Sequence, residues 1–366
     1  MSLGRALIVG LAVTFLVGVI VFVAAAFLIN RVLSARYGDD NYDLSVPPAV
    51  AASLVSPGPN KQESPAVDGQ SVVWSEFIDG YWQIVHFDLA TGFRRQLTDG
   101  PYDHIDPSIA AGWVVWWWGE PGGASWVGGW DLTQNRPLDL PTTRVIHPSV
   151  SASGVTWIDP DDALTPDGFP TLDGTVSYYD RTSGTVLALA HMRAANAPVG
   201  AGEYVVWQAM LGEDLDIYGT VLDGTEPFPI VVADGDQTAP DTDGHTIVWS
   251  DSPETSSLQP NPSGDIYGYD LDSRRKFVLS ARNGDETGAR VSGDWVVWQV
   301  RLGDRVSIYA YDMASEALVP LATGEGEGNG FPDISENTVV WVQSTPWQDR
   351  SAISQIALAT LPVVQP

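Results

Sequence analysis

The stretch PDTDGHTIVW at 240–249 returns in the same frame six more times along the chain. The other copies are PAVDGQSVVW at 65–74, PSIAAGWVVW at 107–116, PSVSASGVTW at 148–157, PVGAGEYVVW at 198–207, ARVSGDWVVW at 289–298 and PDISENTVVW at 332–341. Successive tryptophans of this phrase stand 42, 41, 50, 42, 49 and 43 residues apart. Each phrase opens with a short strand, turns at a polar pair or triplet, and enters a β-branched and aromatic run that suits a buried strand. A repeat of this length, built from strands, is the mark of radially arranged sheets.

A second phrase follows the first. It is QIVHFDL at 83–89, TVSYYDR at 175–181, DIYGTVL at 216–222, DIYGYDL at 265–271 and SIYAYDM at 307–313. An outer, fourth strand follows a turn, as in RRQLT at 94–98, KFVLS at 276–280 and ALVPL at 317–321. Alternation along these segments has period two. The expected fold is all-β: a seven-bladed β-propeller of four-stranded antiparallel blades, preceded by one N-terminal transmembrane α-helix. The last unit ends after its third strand, near Gln355–Leu361. The segment 50–55, with Leu54 placed ahead of Pro65 much as Leu97 is ahead of Pro107, is expected to supply the missing outer strand and close the ring.

These phrases resemble the TolB-like propeller repeats, in the Val-Val-Trp variant found in surface proteins. The likeness covers about 50–366. It implies a ligand or protein site at the central channel or on one rim. Unit six departs from it with Ala289-Arg290, and unit two with SWVGGWDL at 125–132.

The chain before the repeats is different. Ala6 to Ile29 carries no charge and only one polar side chain, Thr14. At about 1.5 Å per residue this run is long enough to cross a bilayer, and longer than a typical signal-peptide core. The expected organisation is a short tail at 1–5, a transmembrane helix at 6–29, a juxtamembrane stalk at 30–49 and the propeller at 50–366. Arg5 precedes the run while Arg31 and Arg36 follow it, so the positive charges give a near tie. The large acidic domain favours a cell-membrane protein with the propeller on the extracytoplasmic side. Ala6, Gly10, Thr14 and Gly18 form a ridge of small side chains, which suits packing against another transmembrane helix, its own copy or a different subunit.

Composition narrows function. The 366 residues hold 46 acidic and 18 basic side chains, a formal net charge of -28. That argues against binding nucleic acid through phosphates. With no cysteine, thiolate metal sites and cysteine nucleophiles are excluded. The five histidines are scattered and no cofactor is expected. No G-x-S-x-G elbow is present.

Three groups are candidate sites. Asp103, Asp106 and His147 stand just ahead of inner strands, where a propeller channel opens. Trp117, Trp118 and Trp126 are a dense aromatic patch for a sugar or a protein partner. Asp234, Asp236 and Asp241 are weak calcium candidates, since they lack the EF-hand pattern. The Pro-, Asp- and Gly-rich inserts at 159–174 and 250–264 should project from one rim. The expected function is a non-catalytic protein- or glycan-binding or scaffold module on a propeller rim, not an enzyme. Alternatives are an accessory single-pass subunit of a larger membrane complex, for example an energy-transducing one, and a hydrolase.

Overall fold

The computed structural model describes residues 42, 45–119, 125–141, 144–161, 173–224, 226–252, 264–323, 328–344 and 353–362. The expected membrane helix, with its ridge of Ala6, Gly10, Thr14 and Gly18, lies outside them. No helix among the described residues is long and apolar enough to cross a membrane.

The described chain is built of antiparallel sheets. In unit one the strands Gln62–Asp68, Ser71–Ile78, Tyr81–Asp88 and Phe93–Gln96 pair in sequence order. Two further sheets repeat this four-strand meander by themselves. A seven-stranded sheet joins two meanders through the long strand Val186–Ala201, and an eight-stranded sheet joins two more. The leading strands touch one another in a closed circuit: Gln62–Asp68, Asp103–Ala110, Ile146–Val150, Val186–Ala201, Asp236–Thr242, Asp285–Ser292, Gly328–Ser335 and back to the first. The sheets are therefore radial, with their leading strands lining a central channel.

Burial explains the repeat. Trp74, Trp116, Trp157, Trp207, Trp249, Trp298 and Trp341 are all buried, each sharing a core between neighbouring sheets with the Val or Ile two residues before it, as Trp74 does with Val72 and Trp249 with Ile247. The departure in unit two has a local cause. Where units four, five and six set Tyr218, Tyr267 and Tyr309 opposite this tryptophan, unit two sets Gly128 opposite Trp116. A Cβ on Gly128 would lie 2.4 Å from the Trp116 indole. Gly128→Ala is expected to cost about 1–3 kcal/mol by overpacking, read as a fall in the denaturation midpoint. An unchanged midpoint would show that the indole has room to move.

The ring closes through its N-terminal end. Ser53–Leu54 pairs antiparallel with Ser354–Thr360, Ser53 opposite Leu358 and Leu54 opposite Ala357. The Val55 N–H extends the pairing to the Ile356 carbonyl at 2.9 Å. Further upstream the chain stays on the protein. The Ala49 N–H donates to the Pro320 carbonyl at 2.9 Å, and the Thr323 hydroxyl donates to the Val46 carbonyl at 3.2 Å.

Tyr42 is buried between units five and six. Its N–H donates to Asn283 Oδ1 at 3.1 Å, its hydroxyl donates to Glu286 Oε1, and Trp298 Nε1 donates to that hydroxyl at 2.9 Å. Its ring centroid lies 4.5 Å from that of Tyr309.

The molecule has two faces. One carries the tight turns between first and second strands, such as Gly69-Gln70. The other carries the hairpins between second and third strands, such as Asp79-Gly80, and the connections into the next unit. The inserts at 159–174 and 250–264 fall in these hairpins, so this is the loop face. Tyr42 enters on it, beside the connection from Ser280 to Asp285.

Candidate functional site at the channel mouth

In each leading strand the residue just ahead of the repeat phrase is held at positive φ: Ser64, Asp106, His147, Ala197, Ala239, Gly288 and Phe331, with φ between 47° and 68°; Val186–Ala201 holds Ala194 so as well. Except for Ala194, each precedes the Pro of the repeat phrase, or Ala289 in unit six. Pairing with the next strand shifts register there, as between Ile105 and Ser108 or between Thr238 and Asp241. The extra residue of a β-bulge turns its side chain away from the sheet, and proline permits the break because it has no N–H to pair. Holding a non-glycine residue in this conformation costs on the order of 1 kcal/mol, which the surroundings must offset. Side chains from the preceding unit do so at Ala239 and Phe331, and one holds Gly288 in the same way. Gln208 Oε1 accepts the Ala239 N–H at 2.7 Å, Ser250 Oγ accepts the Gly288 N–H at 3.2 Å, and Gln299 Oε1 accepts the Phe331 N–H at 3.0 Å.

The chemistry-bearing part of this ring lies on units one to three. The Ser64 hydroxyl donates to Asp106 Oδ1 at 2.7 Å, and Trp117 Nε1 donates to Asp106 Oδ2 at 3.0 Å. Asp106 is thus held at both oxygens. Glu63 and His147 flank it and feel its charge. Both reach solvent, yet the channel wall strips part of their hydration. That loss raises the Glu63 carboxyl above its usual 4.5, with Asp106 adding to the rise against Lys61. It also lowers His147 below its usual 6.5, against the opposing pull of Asp106. A carboxylic acid inclined to keep its proton and an imidazole inclined to stay neutral therefore share one mouth, the pattern of an acid–base pair.

Of the expected channel-mouth residues, Asp106 and His147 come together. Asp103 does not join them, because its Oδ1 accepts the Trp82 N–H at 2.9 Å and ties units one and two together. Trp117 faces Asp106. Trp118 lies on the other side of the strand, 5.0 Å from Trp126 and 5.4 Å from Tyr102 between ring centroids. His104 backs this cluster, stacked 5.8 Å from Trp118, and accepts the Trp116 indole N–H on Nδ1 at 2.9 Å. Burial lowers its pKa to about 4, so it stays neutral and structural.

The three aspartates considered for calcium are dispersed. Asp234 is exposed, Asp236 Oδ1 accepts the Leu215 N–H at 3.0 Å, and Asp241 Oδ2 accepts the Val291 N–H at 2.9 Å on the channel wall. Among the described residues no three His, Asp or Glu side chains converge as metal ligands.

A second layer lies deeper in the channel, one residue past each repeat Pro. It includes Asp241, Arg290 and Asp333 on three successive leading strands. Burial raises both carboxyls, Asp333 to about 6, and the Arg290 guanidinium between them opposes the rise. Asp333 Oδ2 also accepts the Val67 N–H at 2.8 Å, so the layer fastens unit seven to unit one. Sequence reading missed Ser64, Glu63 and this layer. The position just before the repeat Pro was the available signal.

No protein-family model matches the chain, and no curated protein matches it. Solved structures do. The β-propeller domain of the Trilobed protease from Pyrococcus furiosus aligns with a TM-score of 0.63 at 16% identity, over 84% of this chain and 99% of that one. It is described as having an open velcro topology, whereas here Ser53–Leu54 pairs with the last strand. An oligogalacturonate lyase in complex with manganese aligns with a TM-score of 0.63 at 14% identity, over 88% and 96% of the two chains. Pyrococcus horikoshii acylaminoacyl peptidase aligns with a TM-score of 0.61 at 14% identity, over 78% of this chain but only 50% of that one. The chain thus spans about half the length of that peptidase. The fold is a β-propeller. The expectation of a non-catalytic binding module is corrected here: these neighbours are propellers of peptidases and lyases, so the architecture is one that enzymes use.

Proposed function

We propose that this chain is a hydrolase whose reaction site is the mouth of the propeller channel, acting on an oligosaccharide that lacks uronate charge. The observation that carries this reading is the doubly held Asp106 carboxylate flanked by Glu63 and His147. Neutral His147 takes a proton from water as the hydroxyl adds to the anomeric carbon. Glu63 gives its proton to the departing glycosidic oxygen. Asp106 stabilises the imidazolium that forms. The lyase neighbour is nearly coextensive with this chain, which supports a carbohydrate reaction within a propeller alone. Among the described residues no set of ligands fits the manganese of that neighbour, and no step runs through a metal. The acidic mouth disfavours polyuronates.

The circuit of leading strands supports seven blades, with Val186–Ala201 serving two of them and a lone parallel bridge, Val306 to Gly328, joining the last pair. In this reading the apolar run Ala6–Ile29 anchors a TolB-like propeller to the cell membrane, on its extracytoplasmic side.

The test is release of reducing ends by the purified full chain from neutral, amino- and uronate-bearing oligosaccharides. His147→Gln and Glu63→Gln should each lower kcat by roughly 10²–10⁴-fold. The rate should rise with pH as His147 loses its proton, below 6.5, and fall as Glu63 loses its own, above 4.5, which puts the optimum on the acid side of neutrality. No release from any of the three classes, or full activity in H147Q, rules the assignment out.

A further inference from the structure

The loop face gathers exposed apolar side chains. Leu211 is 71% exposed, Phe331 65%, Val232 62% and Phe77 41%, and Tyr102 and Ile353 are also open. All six lie in the hairpins, connections or channel mouth of that face. Phe77 packs edge-on against Trp82, 5.4 Å between centroids, and Tyr102 packs against Trp118 on the next unit. The opposite face leaves Phe93 open at a turn, with Val186 and Leu187 beside the start of an outer strand. Scattered exposed apolar residues are ordinary, but a set weighted to one face, six residues against three, marks a contact surface.

The course of the chain indicates what covers it. Tyr42 is fastened into the loop face by three hydrogen bonds and two buried neighbours. Only residues 30–41 separate it from the end of the uncharged run at Ile29. That length reaches at most about 45 Å when fully stretched. The tether therefore leaves from the face that carries the apolar set, and the bilayer is the nearest apolar phase to it.

We infer that the loop face of the propeller rests on the lipid surface, with Phe77, Tyr102, Leu211, Val232 and Ile353 entering the interfacial zone. This inference rests on the membrane anchor and not on the hydrolase chemistry. Tyr and Trp side chains favour that zone because one end is apolar and the other wet. The charge of the protein sets the lipid. Asp99, Asp214, Asp234 and Asp236 stand on the same face, so an anionic leaflet repels it and a zwitterionic one does not.

The chain has no cysteine, which makes a direct test simple. Single substitutions Phe77→Cys, Leu211→Cys, Val232→Cys and, on the opposite face, Phe93→Cys and Leu187→Cys are labelled with a polarity-sensitive fluorophore. The full-length chain is then reconstituted in phosphatidylcholine vesicles. The three loop-face labels should shift to the blue and lose aqueous iodide quenching relative to detergent, while the two opposite labels change in neither respect. Adding phosphatidylserine at low salt should reverse the shift, and raising the salt should restore it.

Equal iodide access on both faces overturns the inference. So does a full-length chain that fails to float with the vesicles. Protection that appears in native membranes but not in pure lipid also overturns it, by assigning the surface to a protein partner. The channel mouth opens on this same face, so oligosaccharide hydrolysis is measured in detergent, where the face is free, and there reports on the mouth separately from the lipid contact.

Discussion

Replacing Arg290 by Met should lower the melting temperature by roughly 5–10 °C, the equivalent of about 3 kcal/mol. The cause is charge, not packing. Arg290 is the one basic group in a layer that also holds Asp241 and Asp333, and burial already raises both carboxyls. Without the guanidinium, two carboxylates on either side of unit six are left with backbone donors alone, Val291 and Thr242 for Asp241 and Val67 and Ile334 for Asp333. The estimate is at the low end for removing one partner of a buried charge pair, since all three side chains are only partly buried.

The sign of the pH effect follows. Both folded carboxyls lie above the usual 3.8, Asp333 at about 6. Their protonated forms therefore stabilise the fold fully below pH 3.8, and this contribution fades as pH rises through the folded values. R290M should raise those values further, so its deficit should be smallest near pH 4 and complete at neutral pH. Adding Asp333→Asn to R290M should restore part of the loss. A deficit independent of pH would mean that Arg290 acts through its stem alone.

The second large effect is expected at Tyr42. Tyr42→Phe should cost about 2–3 kcal/mol, because it strands the Trp298 indole N–H and removes a donor from Glu286, both buried. Burial raises Glu286 from 4.5 to about 7, and the nearby Asp265, itself raised by burial and Asp251 to about 6, adds to the rise. Hydrogen bonds from Ser280 and Tyr42 oppose it, and Arg282 lies over the Tyr42 ring at 5.7 Å.

A carboxyl raised in the folded state stabilises below its unfolded value and loses that contribution as pH passes its folded one. The stability of the whole fold should be greatest below pH 4.5 as far as Glu286 is concerned, and should lose roughly 3 kcal/mol as pH rises through about 7. The denaturation midpoint measured against pH reads this. Glu286→Gln should flatten the dependence, and an unaltered pH curve in that variant would assign the titration elsewhere.

Much of this architecture is legible in the repeat because its period is written in large side chains. A tryptophan that must be buried in every unit cannot drift, so its spacing reports the sheets directly. The departures were legible as departures but not as causes. Ala289-Arg290 breaks the repeat because Asp241 and Asp333 need a cation between them, and only the closed circuit brings those strands together. Gly128 is readable only once Trp116 is known to lie over it.

The site was half legible. Asp106 and His147 precede a repeat Pro, and their place in the chain suggested the channel mouth. Ser64 carries no such polarity signal, and Glu63 hides among surface acids. What joins them is a bulge conformation set by register, which composition does not encode. The metal candidates failed for the same reason. Neighbours in sequence such as Asp236 and Asp241 are separated by that bulge, and each is already bonded to a backbone amide.

The burial of Tyr42 has a mechanical consequence. Any pull on the chain upstream of Tyr42 would travel along it into the propeller. Here the pull would otherwise reach Ser53–Leu54, a closing strand of 2 residues, which could peel away one bond at a time. Tyr42 lies upstream of that strand and takes the load first. It is gripped from the side by an indole, a carboxyl and a second tyrosine ring, so it must be drawn out whole. The weakest seam of the ring is thus shielded from tension as long as this one side chain stays seated.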